Sequence, residues 1–432
     1  MCGFAGEFLF THAQADIHVA RRMASRLVHR GPDAEGYFLS SDSRCAIGFR
    51  RLAVIDPAGS HQPMALPDGS TVVAFNGEIY NFRELREELS AQGAVFRTAG
   101  DTEVLLHLYA RDGIDMLQRL EGMFAFALYD AGRGRLVLAR DRLGQKPLWY
   151  ALQKDRIVFA SEAKALLVHP AVSRTMDVES ITLYLTVGYI PCPRSAFSSV
   201  RKLEPGHFLL TSTEADSPRQ YWTPSPDPTR RSPEEQTQLV RERLGRAVTE
   251  RMVADVPLGA LLSSGVDSAV VVALMSRAAG RTGGVRTFTA GFHDQEFDER
   301  ADARRVAEHC GTDHRELLVR VDPAGVLDRI VDMYDEPFAD SSAVPTWLIC
   351  RAARRHVTVA LTGDGGDEAF AGYDRYRAMH LAQTMSPGQY ALLRAASLPI
   401  RLISPHHERN LLRRFLRFLD ACLLPPPIQY FA

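Results

Sequence analysis

The second half of the chain alternates between short apolar segments typical of strands and longer segments with the apolar spacing of helices. Strands that alternate with helices form a parallel sheet covered by helices on both faces. We therefore expect an α/β domain here, with a buried last strand. The predicted strands are 256–262, 285–291, 316–321 and 357–361, and the predicted helices are 233–252, 268–279, 299–310, 324–334, 344–356 and 410–421.

A polar, proline-rich stretch at 211–232 separates this pattern from the first half of the chain. A chain of 432 residues is long enough for at least two domains, and a stretch of this composition is typical of an irregular connector. We expect a first domain at 1–210, a linker at 211–232 and a second domain at 233–432.

Composition argues against several classes of function. The formal net charge is −1, which provides no electrostatic reason to bind nucleic acid or a membrane surface. No apolar run reaches the length of a transmembrane helix, and Phe8-Leu9-Phe10 is too short for the core of a signal peptide. The six cysteines lack CxxC spacing, so neither a zinc site nor a disulfide framework is indicated. We expect a reduced, cytoplasmic setting.

The cysteine at position 2 carries the first catalytic hypothesis. Removal of Met1 would leave Cys2 with both a thiol and a free α-amino group. The thiolate is the nucleophilic form of cysteine, and an α-amine with a pKa near 8 can accept its proton at neutral pH. One residue could then serve as nucleophile and base.

Six motifs follow Cys2 in order, at 30–33, 51–56, 75–81, 100–103, 122–130 and 140–144. By pattern, 51–56, 75–81 and 122–130 are strands, and 100–103 opens a helix. Together with Cys2, the set resembles the class II glutamine amidotransferase domain of glutamine-hydrolysing asparagine synthetases. The resemblance covers roughly the first 200 residues and implies an α+β fold, the αββα sandwich of N-terminal nucleophile hydrolases.

Glutamine hydrolysis passes through a tetrahedral oxyanion and a thioester, and the oxyanion needs preorganised donors. The resemblance implies that the Asn76 side chain and the Gly77 N–H supply them. It implies that Arg51 grips the substrate carboxylate and that Asp101 binds the substrate ammonium. On the residues alone, Asn76-Gly77 is also typical of a hairpin turn and Asp101 of a helix N-cap. The implied glutamine-binding residues are Arg51, Leu52, Ala53, Val54, Ile55, Asn76, Gly77, Glu78 and Asp101.

The sequence LLSSGVDS at 261–268 lies where a predicted strand meets a helix. Small residues there allow backbone amides to bind phosphate, although the lysine of a Walker A loop is missing. The segment resembles the pyrophosphate loop of ATP pyrophosphatases, which adenylate a substrate. Ser264 replaces the usual first glycine, which would weaken binding if that position required positive φ. The implied ATP-binding residues are Leu262, Ser263, Ser264, Gly265, Val266, Asp267, Ser268, Ala290, Thr362 and Gly363.

The acidic loop TGDGGDE at 362–368 is the second part of that resemblance. It implies that Asp267 and Asp367 bind Mg²⁺ on the pyrophosphate, since Mg²⁺ prefers oxygen ligands shared with phosphates. Asp364 takes the place of an acidic residue linked to formation of the acyl-adenylate, a glutamate in many relatives. The loop could also be a Ca²⁺-type turn, but the EF-hand spacing is absent. Segment 335–342 matches as well and is expected to contribute to the acceptor pocket, although a helix end followed by an N-cap has the same pattern.

The two resemblances together predict a carbon–nitrogen ligase that amidates aspartate to asparagine with ATP, Mg²⁺ and glutamine through β-aspartyl-AMP. The expected partners are the small substrates, with neither nucleic acid nor membrane, and a homodimer is one option for assembly. Relatives continue past this end point and carry a lysine that steadies the adenylate, whereas the last lysine here is Lys202. The sequence is therefore either a fragment or a truncated paralogue.

Three alternatives remain open at this point. The acceptor could be another carboxylate, in a surface polysaccharide or peptide pathway. The chain could be a β-lactam synthetase-like cyclase, against which the retained Cys2, Asn76 and Asp101 argue. It could also be a glutaminase-only or non-catalytic protein that binds a partner through its basic C-terminal helix at 410–421.

Overall fold

The computed structural model describes the chain except for residues 12, 215, 281–283, 292–297, 319–322, 403–410 and 423–432. The chain divides into two compact units. The first contains Met1–Ser264 and Val271–Leu361, and the second contains Gly265–Val270 and Thr362–Ala432.

The first 220 residues of the first unit form two six-stranded sheets in which every strand pairing is antiparallel. The strands are β1 (Gly3–Leu9), β2 (Ala34–Leu39), β3 (Cys45–Arg51), β4 (Met64–Ala65), β5 (Thr71–Ile79), β6 (Gly122–Asp130), β7 (Arg135–Arg140), β8 (Trp149–Leu152), β9 (Arg156–Ala160), β10 (Arg201–Lys202), β11 (His207–Thr211) and β12 (Arg219–Gln220). One sheet has the order β10-β8-β9-β1-β3-β2, and the other has β12-β11-β7-β6-β5-β4.

The helices of this part of the chain are α1 (Ile17–Ser25), α2 (Phe82–Ala91), α3 (Thr102–Asp112), α4 (Ala163–Leu166) and α5 (Val178–Val187), with a 3₁₀ helix at Gly113–Gln118. Of these, α1 and α4 pack on the outer face of the first sheet, and α2 and α3 on the outer face of the second. Asp16 begins α1 by accepting the amide of His18, and Asp177 begins α5 in the same way through Glu179 and Ser180. These side chains satisfy amides that a helix N-terminus leaves without partners.

The alternation along β6 shows how the layers stack. Ala125 and Ala127 pack between the sheets, in a cluster with Phe4 and Phe8 of β1. Phe126 faces the other way and packs with residues of α2 and α3. Because successive side chains of a strand point to opposite faces, one strand supplies both the inter-sheet core and the sheet–helix core. Helices α1 and α4 cover the far side of the first sheet, which gives the αββα sandwich expected from the sequence.

The rest of the first unit contains a parallel four-stranded sheet with the order β15-β14-β13-β16. The elements of this region are α6 (Pro233–Arg251), β13 (Leu258–Leu261), α7 (Val266–Ala279), β14 (Arg286–Gly291), α8 (Arg300–Cys310), β15 (Asp313–Leu318), α9 (Pro323–Tyr334), α10 (Ala343–Ala353) and β16 (Val359–Leu361). Residues of α6, α7 and α8 pack on one side of the sheet, and α10 packs against Phe288 on the other. The predicted α/β domain is confirmed.

In the described part of the second unit, the regular secondary structure consists of helices. Its elements are the first residues of α7, α11 (Gly366–Phe370), α12 (Asp374–Thr384), α13 (Pro387–Leu402) and α14 (Leu411–Ala421). The hydroxyl of Tyr390 donates to the carbonyl of Leu419 at 3.1 Å, which joins α13 to α14. Among the described residues, no helix combines the length and the apolar character needed to cross a membrane.

Several local predictions were wrong. The strand expected at 51–56 ends at Arg51, and the chain then turns. The strand expected at 357–361 is shorter and less buried than predicted, with Ala360 exposed. The expected connector at 211–232 includes β12, which pairs with β11. The predicted strand end at 319–321 and helix start at 410 lie outside the described residues.

The packing of β6 against the helices predicts the effect of a core substitution. Phe126 is fully buried, so Phe126→Ala should lower the free energy of unfolding by about 3–5 kcal/mol through lost burial and a residual cavity. Val95 is 75% exposed, and Val95→Ala should change stability by less than about 0.5 kcal/mol. Chemical denaturation of both variants checks this, and equal effects would contradict the layer assignment.

Candidate active site

A cavity of 340 Å³ opens beside Cys2 in the first unit. Eight of the nine residues predicted to bind glutamine line it, with Cys2. Its full lining is Met1, Cys2, Arg51, Leu52, Val54, Ile55, Ser60, Gln62, Phe75, Asn76, Gly77, Glu78, Asp101, Thr102, Met123, Lys146, Thr358, Val359 and Ala360. Ala53 is the ninth predicted residue, and its amide instead donates to Asp33 Oδ2 at 2.9 Å.

The thiol of Cys2 contacts both backbone polar groups of Leu52. Its Sγ lies 3.4 Å from the amide nitrogen of Leu52, which donates to it, and 3.5 Å from the Leu52 carbonyl, which accepts from it. Arg30 Nε donates to the Cys2 carbonyl at 2.8 Å. Burial raises the pKa of the Cys2 thiol and lowers the pKa of the Met1 amino group to about 5. At neutral pH the thiol therefore keeps its proton, while an amine in this environment is neutral.

Asn76 is the residue of the cavity whose hydrogen bonds are missing. It is 1% exposed, and neither its Oδ1 nor its Nδ2 has a hydrogen-bond partner among the residues that the structure describes. A buried amide without partners costs free energy, so this side chain is suited to a polar group that enters the cavity. The hairpin alternative for Asn76-Gly77 is wrong, because both residues pair with β6 inside β5.

Gly77 is required by its neighbouring strand. A Cβ at this position would lie 2.2 Å from the carbonyl oxygen of Met123, a distance that no side chain can adopt. A glycine here therefore lets β5 and β6 approach closely next to the cavity.

Two carboxylates face the same space, the buried Asp101 and the half-buried Glu78. Asp101 stands at the N-cap position of α3, but its Oδ2 accepts the amide of Ile79 at 3.0 Å. Burial raises the pKa of Asp101 to about 6. Burial, followed by the nearby charge of Asp101, raises the pKa of Glu78 to about 7.

Arg51 shapes the wall formed by residues 52–60. Its guanidinium donates to the carbonyls of Pro57 and Asp56 at 2.7 Å each, and to that of Ile55 at 3.3 Å. These bonds curl the chain back on itself, which is why the predicted strand stops at Arg51. A guanidinium has five N–H donors, and these three bonds use three of them.

The parallel-sheet region holds the same wall from outside. Asp255 Oδ2 accepts the amide of Asp56 at 2.8 Å, and the Asp255 amide donates to the carbonyl of Val54 at 3.0 Å. Strand β16 and the residue before it supply a further part of the cavity lining. The cavity therefore lies between the antiparallel sandwich and the parallel sheet.

Sequence reasoning missed several lining residues, of which Lys146 is the most notable. It is 5% exposed, and burial lowers its pKa to about 8. Its Nζ lies 3.1 Å from the sulfur of Met1. The signal available was its rarity, since the chain has four lysines. The contribution of β16 has no local signal, because it depends on how the two regions pack.

The predicted ATP-binding residues fall in both units. In the first unit, the Leu262 amide donates to the Phe288 carbonyl at 2.8 Å, Ser263 follows Leu262, and Ala290 lies in β14. The amide of Ser264 donates to Glu299 Oε2 at 3.0 Å, so it already binds an anionic oxygen. Among the described residues, the non-glycine positions with positive φ do not include Ser264, and serine carries no such strain there.

In the second unit, residues 265–268 lie against the acidic loop. A Cβ at Gly366 would lie 2.4 Å from the carboxylate carbon of Asp267, so the backbone of the loop borders that carboxylate. Asp364 Oδ2 accepts the hydroxyl of Thr362 at 2.8 Å. Gly363 connects them, Asp367 lies in the first turn of α11, and Val266 begins α7. The described residues contain no cluster of three or more metal-ligating side chains.

Two family models match the chain. The model for the glutamine amidotransferase domain matches residues 1–222, and the model for asparagine synthase matches residues 239–423. Asparagine synthetase (glutamine-hydrolyzing) 1 of Bacillus subtilis is 36% identical over 87% of this chain and 60% of its own length. Asparagine synthetase (glutamine-hydrolyzing) 3 of the same organism is 31% identical over 95% of this chain and 69% of its own length.

The chain thus spans about three fifths of the first relative and about two thirds of the second. The match to the glutamine amidotransferase model covers the antiparallel sandwich, and the match to the asparagine synthase model covers the parallel sheet. The chain belongs to the glutamine-hydrolysing asparagine synthetase family.

Proposed function

We propose that this protein converts aspartate, ATP, glutamine and water into asparagine, AMP, pyrophosphate and glutamate. The observation that carries the proposal is the unpartnered Asn76 amide in the cavity of Cys2. An amide donor placed beside a thiol is the arrangement needed for attack on a carboxamide, because charge develops on the carbonyl oxygen as the carbon–sulfur bond forms.

In this proposal Cys2 acts after Met1 has been removed. Sγ attacks the glutamine side-chain carbonyl and its proton passes to the newly freed α-amine. The resulting ammonium then gives this proton to the amide nitrogen, which leaves as ammonia when the thioester forms. No histidine is among the described residues that line the cavity, which favours the α-amine as the base. The low pKa of the buried Met1 amine supports a neutral amine at this end of the chain. Water then releases glutamate from the thioester.

The carboxylates and Arg51 would orient glutamine. Asp101 is suited to the substrate ammonium, and the guanidinium of Arg51 to the substrate carboxylate. The cavity is bounded by β16 of the parallel sheet, which supports transfer of ammonia towards that region before it is protonated. Confinement of reactants can be worth on the order of 7–11 kcal/mol.

The synthetase region would form β-aspartyl-AMP, which ammonia then attacks to release AMP. The proposed nucleotide-binding residues are 262–264 and Ala290 in the first unit and 265–268, Thr362 and Gly363 in the second, with Asp364 assisting adenylation. Mg²⁺ is typically held by one or two carboxylates together with substrate phosphates, and the acidic loop at Gly366 borders the carboxylate of Asp267. Asp267 and Asp367 would hold that ion, which supplies charge neutralisation on the phosphates. We further propose domains at 1–210 and 233–432 joined by 211–232, and a reducing, cytoplasmic setting that keeps Cys2 a thiol.

The oxyanion role of Asn76 predicts a specific kinetic defect. Asn76→Ala should lower kcat for glutamine hydrolysis by about 10²-fold, while the midpoint of thermal unfolding stays unchanged because the amide makes no bonds in the folded protein. The matched control is Asn81→Ala, whose amide bonds Arg119 and Glu121. It should lose stability and keep kcat, and the reverse pattern would refute the role of Asn76.

The raised pKa of Asp101 predicts a pH dependence of glutamine binding. Only the ionised carboxylate attracts the substrate ammonium, so KM should rise about tenfold per unit as pH falls below about 6. Asp101→Asn should have a high KM that no longer changes over this range. Glu78→Gln is the control, and loss of the pH dependence in that variant instead would assign it to Glu78.

Isotope transfer tests the complete reaction. The protein is incubated with ATP, Mg²⁺, aspartate and glutamine labelled with ¹⁵N in its amide, and asparagine is analysed by mass spectrometry. Wild type should form labelled asparagine and an equal molar amount of pyrophosphate. Cys2→Ala should form no labelled asparagine, but should form unlabelled asparagine when ammonia is added. Labelled ammonia without any labelled asparagine would reduce the function to a glutaminase.

A further inference from the structure

A chain of buried ion pairs leads from Cys2 to the end of helix α9. Arg30 binds the Cys2 carbonyl through Nε and donates from NH1 to Glu162 Oε1 at 2.6 Å. Lys164 Nζ lies 3.1 Å from Glu162 Oε2 and 3.3 Å from Asp335 Oδ1. The Lys164 amide also donates to Asp335 Oδ2 at 3.1 Å. Four side chains therefore connect the nucleophile to the synthetase region without a gap.

This chain is shielded from solvent over its whole length. The side chains of Arg30, Glu162, Lys164 and Asp335 are 7%, 10%, 9% and 4% exposed. Ion pairs at low exposure are screened little by salt, and removal of one member leaves its partner with an uncompensated buried charge. A change at Asp335 therefore acts on Lys164 and, through it, on Glu162, whose Oε2 also lies 2.9 Å from Nε2 of the partly exposed His29.

The segment after α9 makes further contacts with the glutaminase region, the part of the chain (residues 1–222) that the glutamine amidotransferase model matches. Glu336 pairs with Lys202 and accepts the amide of Ala196, and the Ala339 amide donates to the Gly188 carbonyl at 2.8 Å. Asp335 has a φ of 65°, a strained value for a residue other than glycine. Such a conformation persists only where the surroundings hold it, and here the Lys164 backbone and side chain do so.

These contacts add to the role expected of this motif. Residues 335–342 are predicted to contribute to the acceptor pocket, and two of them, Asp335 and Glu336, also pair with lysines of the glutaminase region. Buried ion pairs are weak evidence for stability, since desolvation offsets most of their attraction. A contribution to stability therefore does not explain why these ion pairs end at Arg30, which binds the carbonyl of Cys2.

We propose that Asp335 is a positioning residue for Cys2, acting through Lys164, Glu162 and Arg30. The synthetase region thereby helps to orient the nucleophile of the glutaminase site. This inference rests on the proposed glutaminase chemistry of Cys2. It assigns Asp335 no contact with glutamine and no part in adenylation.

The test compares Asp335→Asn with Asp332→Asn in the intact chain. Asp332 lies in α9 and Asp335 directly follows it, so each substitution removes one carboxylate from the same part of the chain. Asp332 also pairs with the glutaminase region, through Arg26, but its carboxylate lies 3.8 Å from the guanidinium and its side chain is 66% exposed. Asp335→Asn should lower kcat for glutamine hydrolysis by about fivefold with KM nearly unchanged, a size typical of coupling between sites. Asp332→Asn should match wild type, and Asp335→Glu should recover most of the rate.

A second readout does not depend on turnover. The rate at which iodoacetamide alkylates Cys2, followed on the N-terminal peptide by mass spectrometry, should change in Asp335→Asn and not in Asp332→Asn. If Asp335→Asn does not fold, Lys164→Arg replaces it, because this change keeps the charge and alters the geometry. It should show the same fall in kcat.

The outcomes separate this inference from the function beneath it. Equal kcat and equal alkylation rates in the Asp335 and Asp332 variants, with an active wild type, would overturn the positioning role and leave the glutaminase intact. A wild type without Cys2-dependent glutaminase activity would overturn the proposed function, and this inference with it.

Discussion

The face-to-face packing of two antiparallel sheets is the constraint on which the site depends. Cys2 precedes β1 of one sheet, and Asn76 lies in β5 of the other. Ala74, Ala125 and Ala127 face the first sheet, and such small residues allow sheets to approach. Larger residues at these three positions would move β5 away from β1. The cavity exists where this inter-sheet core gives way to the turn at residues 52–60.

The burial that forms the cavity also sets its chemistry. It raises the pKa values of Cys2, Asp101 and Glu78 and lowers those of Lys146 and the terminal amine. The largest cause of each shift is the loss of hydration of the charged form, and the charge of Asp101 adds to it at Glu78. In the proposed glutaminase reaction, the thiol proton would move to the α-amine as the sulfur attacks.

The sequence predicted the parallel sheet from its alternation of strands and helices, and the αββα sandwich only through the family resemblance of its ordered motifs. It predicted Cys2, Asn76 and Asp101 as a group only through the order of the motifs, since these residues are far apart in the chain. Local pattern failed at Arg51, where three bonds from the guanidinium to following carbonyls replace a strand with a turn. It also missed Lys146 and β16, because neither position has meaning before the two regions pack.

The antiparallel sandwich and the parallel-sheet region both contribute residues to the cavity and its wall. Asp255 holds the wall at Asp56, β16 bounds the space, and Asp335 reaches the Cys2 carbonyl through buried charges. Asp255 lies three residues before β13, the strand that leads to the proposed pyrophosphate loop. Both regions thus contribute to one site, and neither sequence pattern alone predicts that.

The central claim is that the thiol of a mature Cys2 carries the glutamyl group. The most direct measurement is acid quenching of the protein during turnover with glutamine, followed by mass spectrometry of its N-terminal peptide. The account predicts a peptide that lacks Met1 and carries a glutamyl thioester on Cys2. Glutamate formation from a peptide that retains Met1 and an unmodified Cys2 would contradict it.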